Sequence, residues 1–277
     1  MKIVFSSLTL DSELVKAQIY SMIESDCAPH SIILVSSDKT ASTIFIKIIA
    51  NIKNKWNRLL SKICSIMTSN INFPAYKSNY NFNSSVIEDA KLSKNEHRIL
   101  SEFLSNCTIL KVKSNINQDE YKNLILSLKP DLIVATMCGI VKDSLISLDI
   151  PIMNVHASKL PKYRGMNCIE WALWDGDEIF CTYHKMHKGI DEGDILFQHC
   201  IDQGERHIKG VSVNELRNLY FYKAFRNFGS SVKKYFFREL SFQPQNKEVL
   251  SYSQCYTMHK ILKDKLHENL VKGQLNE

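Results

Sequence analysis

Asn154 and His156 stand two apart in the run N-V-H-A-S-K-L-P-K-Y-R-G (residues 154–165), and Asp191 follows in G-I-D-E-G-D-I-L (residues 189–196). An amide, an imidazole and a carboxylate can stabilise a developing oxyanion and move protons without being covalently modified. On a strand, a spacing of two turns Asn154 and His156 to one face and sends Val155 the other way into packing. Gly189 and Gly193 permit tight turns through which Asp191 can approach an imidazole on a neighbouring segment. Such a convergence suits acyl transfer to an amine. The turn at 159–165 adds Pro161, Tyr163 and Arg164 ahead of Gly165, a rigid loop with a permanent positive charge that could hold an anion or cap the next helix.

Other readings of these residues remain open. A His and an Asn near a strand end can be satisfied core polar groups with no chemistry. His184 and His187 form H-x-x-H close to Asp191 and Asp194, a metal-like set, but positions three apart on a strand face opposite sides unless the strand ends first. Cys138 and Cys168 flank the region, yet sequence logic puts no histidine beside either to activate a thiolate.

The elements that must position these groups follow an α/β pattern. Residues 2–8 read as a short buried strand, 11–24 as an amphipathic helix opened by an Asp/Ser cap, and 31–37 as a second strand. Strands at 107–112, 131–136 and 150–156 follow, with a helix at 118–128 between the first two. After the 154–165 run, 167–174 reads as a helix, 180–186 and 194–201 as strands, and 211–237 as one long helix. Strands alternating with helices imply a mostly parallel twisted sheet with helices on both faces. His156 then falls at the carboxyl end of a parallel strand, where open α/β sheets place ligands. The first strand is followed by S-S-L-T-L-D-S with no G-x-G-x-x-G, which leaves a nicotinamide site without support. Residues 40–98 read as an insertion, an Ile/Lys-rich helical stretch at 41–67 followed by an Asn/Ser/Tyr-rich loop. The expected organisation is a catalytic domain over 1–240 and a small appendage over 241–277.

Composition excludes several classes. Of 277 residues, 44% are apolar and 23% charged, outside the low-hydrophobicity signature of disorder. The excess of 35 basic over 29 acidic residues, +6, fits attraction to phosphorylated small molecules and is too weak to imply nucleic acid. Eight cysteines without a C-x-x-C pair fit free thiols in a reducing cytosol. The first residues turn polar too soon for a signal peptide, and no apolar run approaches the roughly 20 residues that span a bilayer. A cytoplasmic protein is expected, and a homodimer is the base-rate expectation, with the C-terminal arm as the candidate interface.

The blocks at 154–165, W-A-L with Gly176 and Asp177, and 189–196, together with the strand P-D-L-I-V-A-T and Gly139, resemble the catalytic core of the folate-dependent formyltransferases. The resemblance implies a Rossmann-like formyltransferase fold, 10-formyltetrahydrofolate as formyl donor, and no metal. It identifies Asn154, His156 and Asp191 with the family's Asn-His-Asp trio. It also implies a folate side made of Gly139 and the segment Met186, Gly189, Ile190 and Asp191. Cys138 stands where members often carry an aromatic residue, Phe180-Cys181 replaces a usual Gly-Val/Thr stretch, and Lys159 stands where an apolar residue is common.

Among acceptors, methionyl-tRNA formyltransferases carry a further C-terminal domain of roughly a hundred residues, whereas only a short tail follows the long helix here. Size and the K-Y-R-G loop are most similar to the sugar-nucleotide group. The expectation is therefore formyl transfer to the amino group of a nucleotide-linked amino-dideoxy sugar, dTDP being the expected carrier, in a surface-polysaccharide (O-antigen) pathway. Tyr163, Arg164 and Gly165 are the expected acceptor side. The alternatives are another amine such as methionyl-tRNA, hydrolysis of the donor, and a non-catalytic folate or nucleotide-sugar binding protein.

Overall fold

The computed structural model describes residues 1–35, 91–208, 210–250 and 254–273. All of them fall in one compact unit made of Met1–Val35 and Phe82–Glu277. The helical stretch expected at 41–67 and the polar loop after it lie outside the described residues.

The chain opens with β1 (Ile3–Ser7), α1 (Glu13–Glu24) and β2 (Ser31–Leu34). It continues through α2 (Lys94–Asn106), β3 (Thr108–Lys111), α3 (Asp119–Leu128), β4 (Leu132–Thr136), α4 (Asp143–Ile146) and β5 (Ile152–His156). These strands belong to a seven-stranded sheet in the order β3-β2-β1-β4-β5-β7-β8, where β7 is Phe180–Lys185 and β8 Ile195–Cys200; β6 (Arg164–Gly165) and α5 (Cys168–Trp174) lie between β5 and β7 in the chain. The first five strands pair in parallel, while β7 and β8 run antiparallel to their neighbours. The sheet is mostly parallel, as the alternating pattern predicts. β1 and β4 are buried along their whole length, which is why they read as unbroken apolar runs rather than alternating ones.

The strands feed two cores. Ile3, Phe5, Ile32, Leu132, Val134, Met153 and Val155 face one side, against α1, α2 and the later helices. Val4, Ile33, Ile133, Ala135 and Ile152 face the other, where Tyr121 and Ile125 of α3 and Leu145 of α4 cover them. This second core stops at β5. Ile152 is its last strand residue, and the next positions that alternation turns to the same face are Asn154 and His156. The site therefore lies on the part of the sheet that the helices leave uncovered.

Three elements depart from the sequence reading. α2 begins at Lys94 inside the stretch taken as insertion, and Leu100 enters the main core. Its start was legible: the Ser93 hydroxyl accepts from Glu96 N and the Glu96 carboxylate accepts from Ser93 N, a reciprocal cap. The helix expected over 211–237 is two helices, α6 (Val213–Arg226) and α7 (Phe228–Phe236), which break at Asn227. The break lets Gly229 meet α1, so closely that a Cβ there would sit 2.0 Å from the Ser21 carbonyl oxygen. The tail adds α8 (Lys247–Leu250), β9 (Gln254–Cys255) and α9 (Lys260–Lys272). Met258, Leu266 and Leu270 join the main core. Lys263 of α9 reaches Glu170 at 3.2 Å, a carboxylate that Arg217 of α6 also holds.

Among the described residues no helix is long and apolar enough to cross a membrane. Because the atoms that a Cβ at 229 would strike are backbone, they cannot rotate away. Gly229→Ala should lower unfolding free energy by about 1–3 kcal/mol, read as an earlier urea midpoint. An unchanged midpoint would mean that α1 and α7 separate freely.

Candidate active site

β5 pairs with β7 so that Asn154 lies opposite His184 and His156 opposite Thr182. Residues directly opposite on an antiparallel pair share a face, which puts the amide and both imidazoles on one side. Because β7 runs antiparallel, its hairpin with β8 leaves at the end of the pair where β5 begins. The hairpin turn carries Asp191, which folds back over the face. Oδ2 of Asp191 lies 3.5 Å from His156 Nδ1, and Oδ1 lies 3.6 Å from His184 Nε2. The trio thus meets over the sheet face, with His156 at the carboxyl end of β5.

Hydrogen bonds fix what each ring can offer. His156 Nε2 is 2.6 Å from the Tyr163 carbonyl and His184 Nδ1 is 3.1 Å from the Lys185 carbonyl. A carbonyl only accepts, so both nitrogens carry hydrogen, and the remaining nitrogen of each ring turns toward the Asp191 carboxylate. Two imidazoles and a carboxylate then form one cluster that can take up or release a proton. Burial of His184 between the strands lowers its pKa to about 4; Asp191 opposes this and the neighbouring His156 adds to it. His184 is therefore neutral at pH 7. Sequence reasoning weighed His184 only as a metal ligand; the signal for its position was its register opposite Asn154. His187 falls beyond the end of β7 and is exposed. No group of three or more His, Cys, Asp or Glu suited to a metal ion occurs among the described residues.

Asp191 itself adopts φ +53°, a left-handed conformation uncommon outside glycine. Gly165 N donates to its Oδ2 at 2.9 Å. The turn is braced by Arg164, whose Nη1 donates to Ile190 O at 3.3 Å and to Glu192 Oε1 at 2.6 Å. Gly193 must be glycine, since a Cβ there would lie 1.7 Å from the Lys185 carbonyl oxygen. β6 (Arg164–Gly165) is in turn paired with β9, and a Cβ on Gly165 would lie 2.5 Å from Cys255 O.

Asn154 is half-buried, and its amide has no hydrogen-bond partner among the described residues. Gly139, at φ +80°, lies in the turn after β4 between the exposed side chains of Met137 and Ile140. Asn117 braces that turn, donating to Ile140 O at 2.8 Å and accepting from Lys142 N at 2.7 Å. Met186 donates its N–H to Ile152 O at 2.7 Å and packs, like Cys138, on the second core. Ile190 is exposed at the head of the Asp191 turn.

Tyr163 and Arg164 do not face the open side as expected for the acceptor. Tyr163 is buried, its hydroxyl donating to Asp175 Oδ2 at 2.8 Å and Asp177 Oδ2 at 2.5 Å. Arg164 is buried against the Asp191 turn. Their charges and hydroxyl are spent on protein partners, and both act as supports. Cys138 donates to Ser6 O at 3.1 Å, and burial pushes its pKa to about 12. Cys168 is kept protonated by its hydrogen bond with the Cys255 thiol and by burial. Both shifts oppose the thiolate form that a nucleophile needs.

A family model described as formyl transferase matches residues 30–204, a span that includes Asn154, His156 and Asp191. The chain belongs to the formyl transferase family. Within it, methionyl-tRNA formyltransferase of Desulfotalea psychrophila is 36% identical over 109 residues, 38% of this chain and 34% of that protein. The chain thus covers about a third of the length of that curated relative. A sugar N-formyltransferase from Shewanella sp. FDAARGOS_354 shares the fold over 98% of this chain and 87% of its own, at 13% identity and TM-score 0.53. HypX from Aquifex aeolicus, solved in complex with tetrahydrofolic acid, shares it over 98% of this chain and 34% of its own, at 13% identity and TM-score 0.50.

A histidine whose pKa is depressed on folding favours the folded state above its unfolded value near 6.5 and disfavours it as pH falls toward 4. Stability should therefore drop between pH 6.5 and 4, and His184→Gln should flatten that slope in urea titrations run across the range. An equal slope in both proteins would remove His184 as its source.

Proposed function

We propose that the protein transfers a formyl group from 10-formyltetrahydrofolate to the primary amine of a nucleotide-linked amino-dideoxy sugar, dTDP being the first carrier to test. The observation that carries the chemistry is the unpartnered Asn154 amide on the same face as a carboxylate shared by two imidazoles. These are groups for stabilising charge and moving protons, with no thiol nucleophile among them.

The residues present fit a folate donor. Exposed Met137, Ile140 and Ile190 offer apolar contact, and the backbone around Gly139 and from Met186 to Asp191 offers donors and acceptors to a planar heterocycle. When bound, the donor supplies a formyl group on a nitrogen that can leave. In the net reaction the acceptor nitrogen forms a bond to the formyl carbon, the old carbon–nitrogen bond breaks, and one amine proton ends on the departing nitrogen. Asn154 donates to the formyl oxygen as it gains negative charge, an interaction worth about 3–4 kcal/mol in comparable sites. The Asp191–His156 pair receives the amine proton and returns it to the leaving nitrogen. Neutral His184 offers Asp191 an uncharged neighbour, so the carboxylate's charge remains available to the proton in transit.

The sugar acceptor is favoured by fold likeness to a sugar N-formyltransferase over 98% of this chain. A second reading, methionyl-tRNA as acceptor, rests on the 36% identity to a methionyl-tRNA formyltransferase over 109 residues.

Incubation with 10-formyltetrahydrofolate and a panel of dTDP- and UDP-linked amino sugars should yield a mass gain of one formyl group on one of them. Activity on methionyl-tRNA alone would reject the sugar reading, and formate release without any amine would reject acyl transfer to an amine. His156→Ala should lower kcat by roughly 10²–10⁴-fold with the far-UV circular dichroism spectrum retained; an unaltered rate would remove the catalytic assignment.

A further inference from the structure

The turn that carries Asp191 is held by a residue far away in sequence. Gln245 is buried, 7% exposed, and its side-chain Nε2 donates to Asp191 O at 2.8 Å and to Gly193 O at 2.6 Å. Both hydrogens of one amide are thus placed on the carbonyls that flank Glu192. The chain reaches this point on a fixed track: Gln243 and Ile195 exchange backbone hydrogen bonds of 2.7 and 2.8 Å, pinning the tail to the start of β8 two residues earlier. Beyond Gln245, β9 pairs with β6, so the same tail also supports Gly165, whose N–H grips the Asp191 carboxylate.

We propose that Gln245 is a positioning residue for the reaction: its amide locks the left-handed turn at Asp191, and thereby the direction in which the carboxylate faces His156 and His184. The inference rests on the transfer chemistry proposed above. A left-handed conformation at a residue with a Cβ is uncommon and is kept where the surroundings over-determine it. Gly165 holds the tip of the Asp191 side chain and Gln245 holds its backbone, so the carboxylate is fixed at both ends. Without the amide, the Asp191 and Gly193 carbonyls would be left buried without their donor, and relaxation of the turn to satisfy them would swing the carboxylate away from the imidazoles. The residue type is exacting. Glutamate has the same shape but cannot donate when ionised, methionine fills the space without donors, and asparagine is one methylene too short to span both carbonyls.

Because the Gln245 amide binds backbone carbonyls of the turn, its effect on the reaction runs through Asp191. Gln245→Met should lower kcat at least tenfold with KM for the amine changed less than threefold, and Gln245→Glu should do the same or worse. In an Asp191→Asn background, the further loss from Gln245→Met should be less than twofold, since residues acting through one group are non-additive. Hydrogen exchange should accelerate across residues 189–194 and stay unchanged in β1 and β4. A loss that multiplies equally in both backgrounds, a change in KM alone, or faster exchange throughout the sheet would overturn the proposal. If Gln245→Met does not fold, Gln245→Asn makes the same predictions. Failure of the wild-type protein to transfer formyl to any amine would defeat the proposed function and leave the exchange measurement to decide the role of Gln245.

Discussion

A carboxylate removed from water must be compensated where it lies, and the candidate site is organised around meeting that demand for Asp191. Its side chain is 17% exposed, and an unpaired charge at such a depth would cost several kcal/mol. One oxygen takes a hydrogen bond from Gly165 N and faces His156; the other faces His184. None of these partners is adjacent in sequence. β5 supplies one imidazole, β7 the other, and β6 the amide that donates to the carboxylate, so the cluster assembles only when three separate segments are in register.

The two cores explain why the carboxylate sits where it does. Helices α3 and α4 cover the far face only as far as β5, and the strand pair beyond it has polar groups at the positions that would otherwise be apolar. Asn154 and His156 occupy alternate positions with Val155 between them, buried in the opposite core. A single alternation thus separates packing from chemistry along five residues. Support from outside the sheet then becomes necessary. Arg164 and Gln245 provide it by binding the carbonyls of the Asp191 turn, where a helix would have closed the site altogether.

The legible part of the fold was the part governed by local periodicity. β4 is a continuous apolar run, β1 begins as one, β5 interrupts one with Asn154 and His156, and α1 and α3 follow from the spacing of their apolar residues. The α6–α7 break was not legible, because Asn227 and Gly229 carry no strong stop signal; the cause is the close approach of Gly229 to the backbone of α1, a contact between residues more than 200 apart. α2 carried a readable reciprocal cap at Ser93 and Glu96, which the polar stretch before it obscured. In the candidate site, residue types and the two-residue spacing drew attention to Asn154, His156 and Asp191. The same reasoning read Tyr163 and Arg164 as ligand-facing, because a charge or a hydroxyl in a loop looks alike in sequence whether it meets a ligand or a carboxylate of the protein. It also read His184 by its spacing to His187 instead of by its partner across the sheet.

The sequence by itself determined that strands and helices alternate, that Asn154 and His156 share a face, and that glycines flank Asp191, since each of these depends on neighbours within a few residues. Tertiary structure alone decided that β7 turns antiparallel and sets His184 opposite Asn154, that the Asp191 turn folds back over the sheet, and that Gln245 reaches it from the tail. Those outcomes depend on strand order and on hydrogen bonds between segments up to 54 residues apart. Local propensity carries no record of which partners such groups will find.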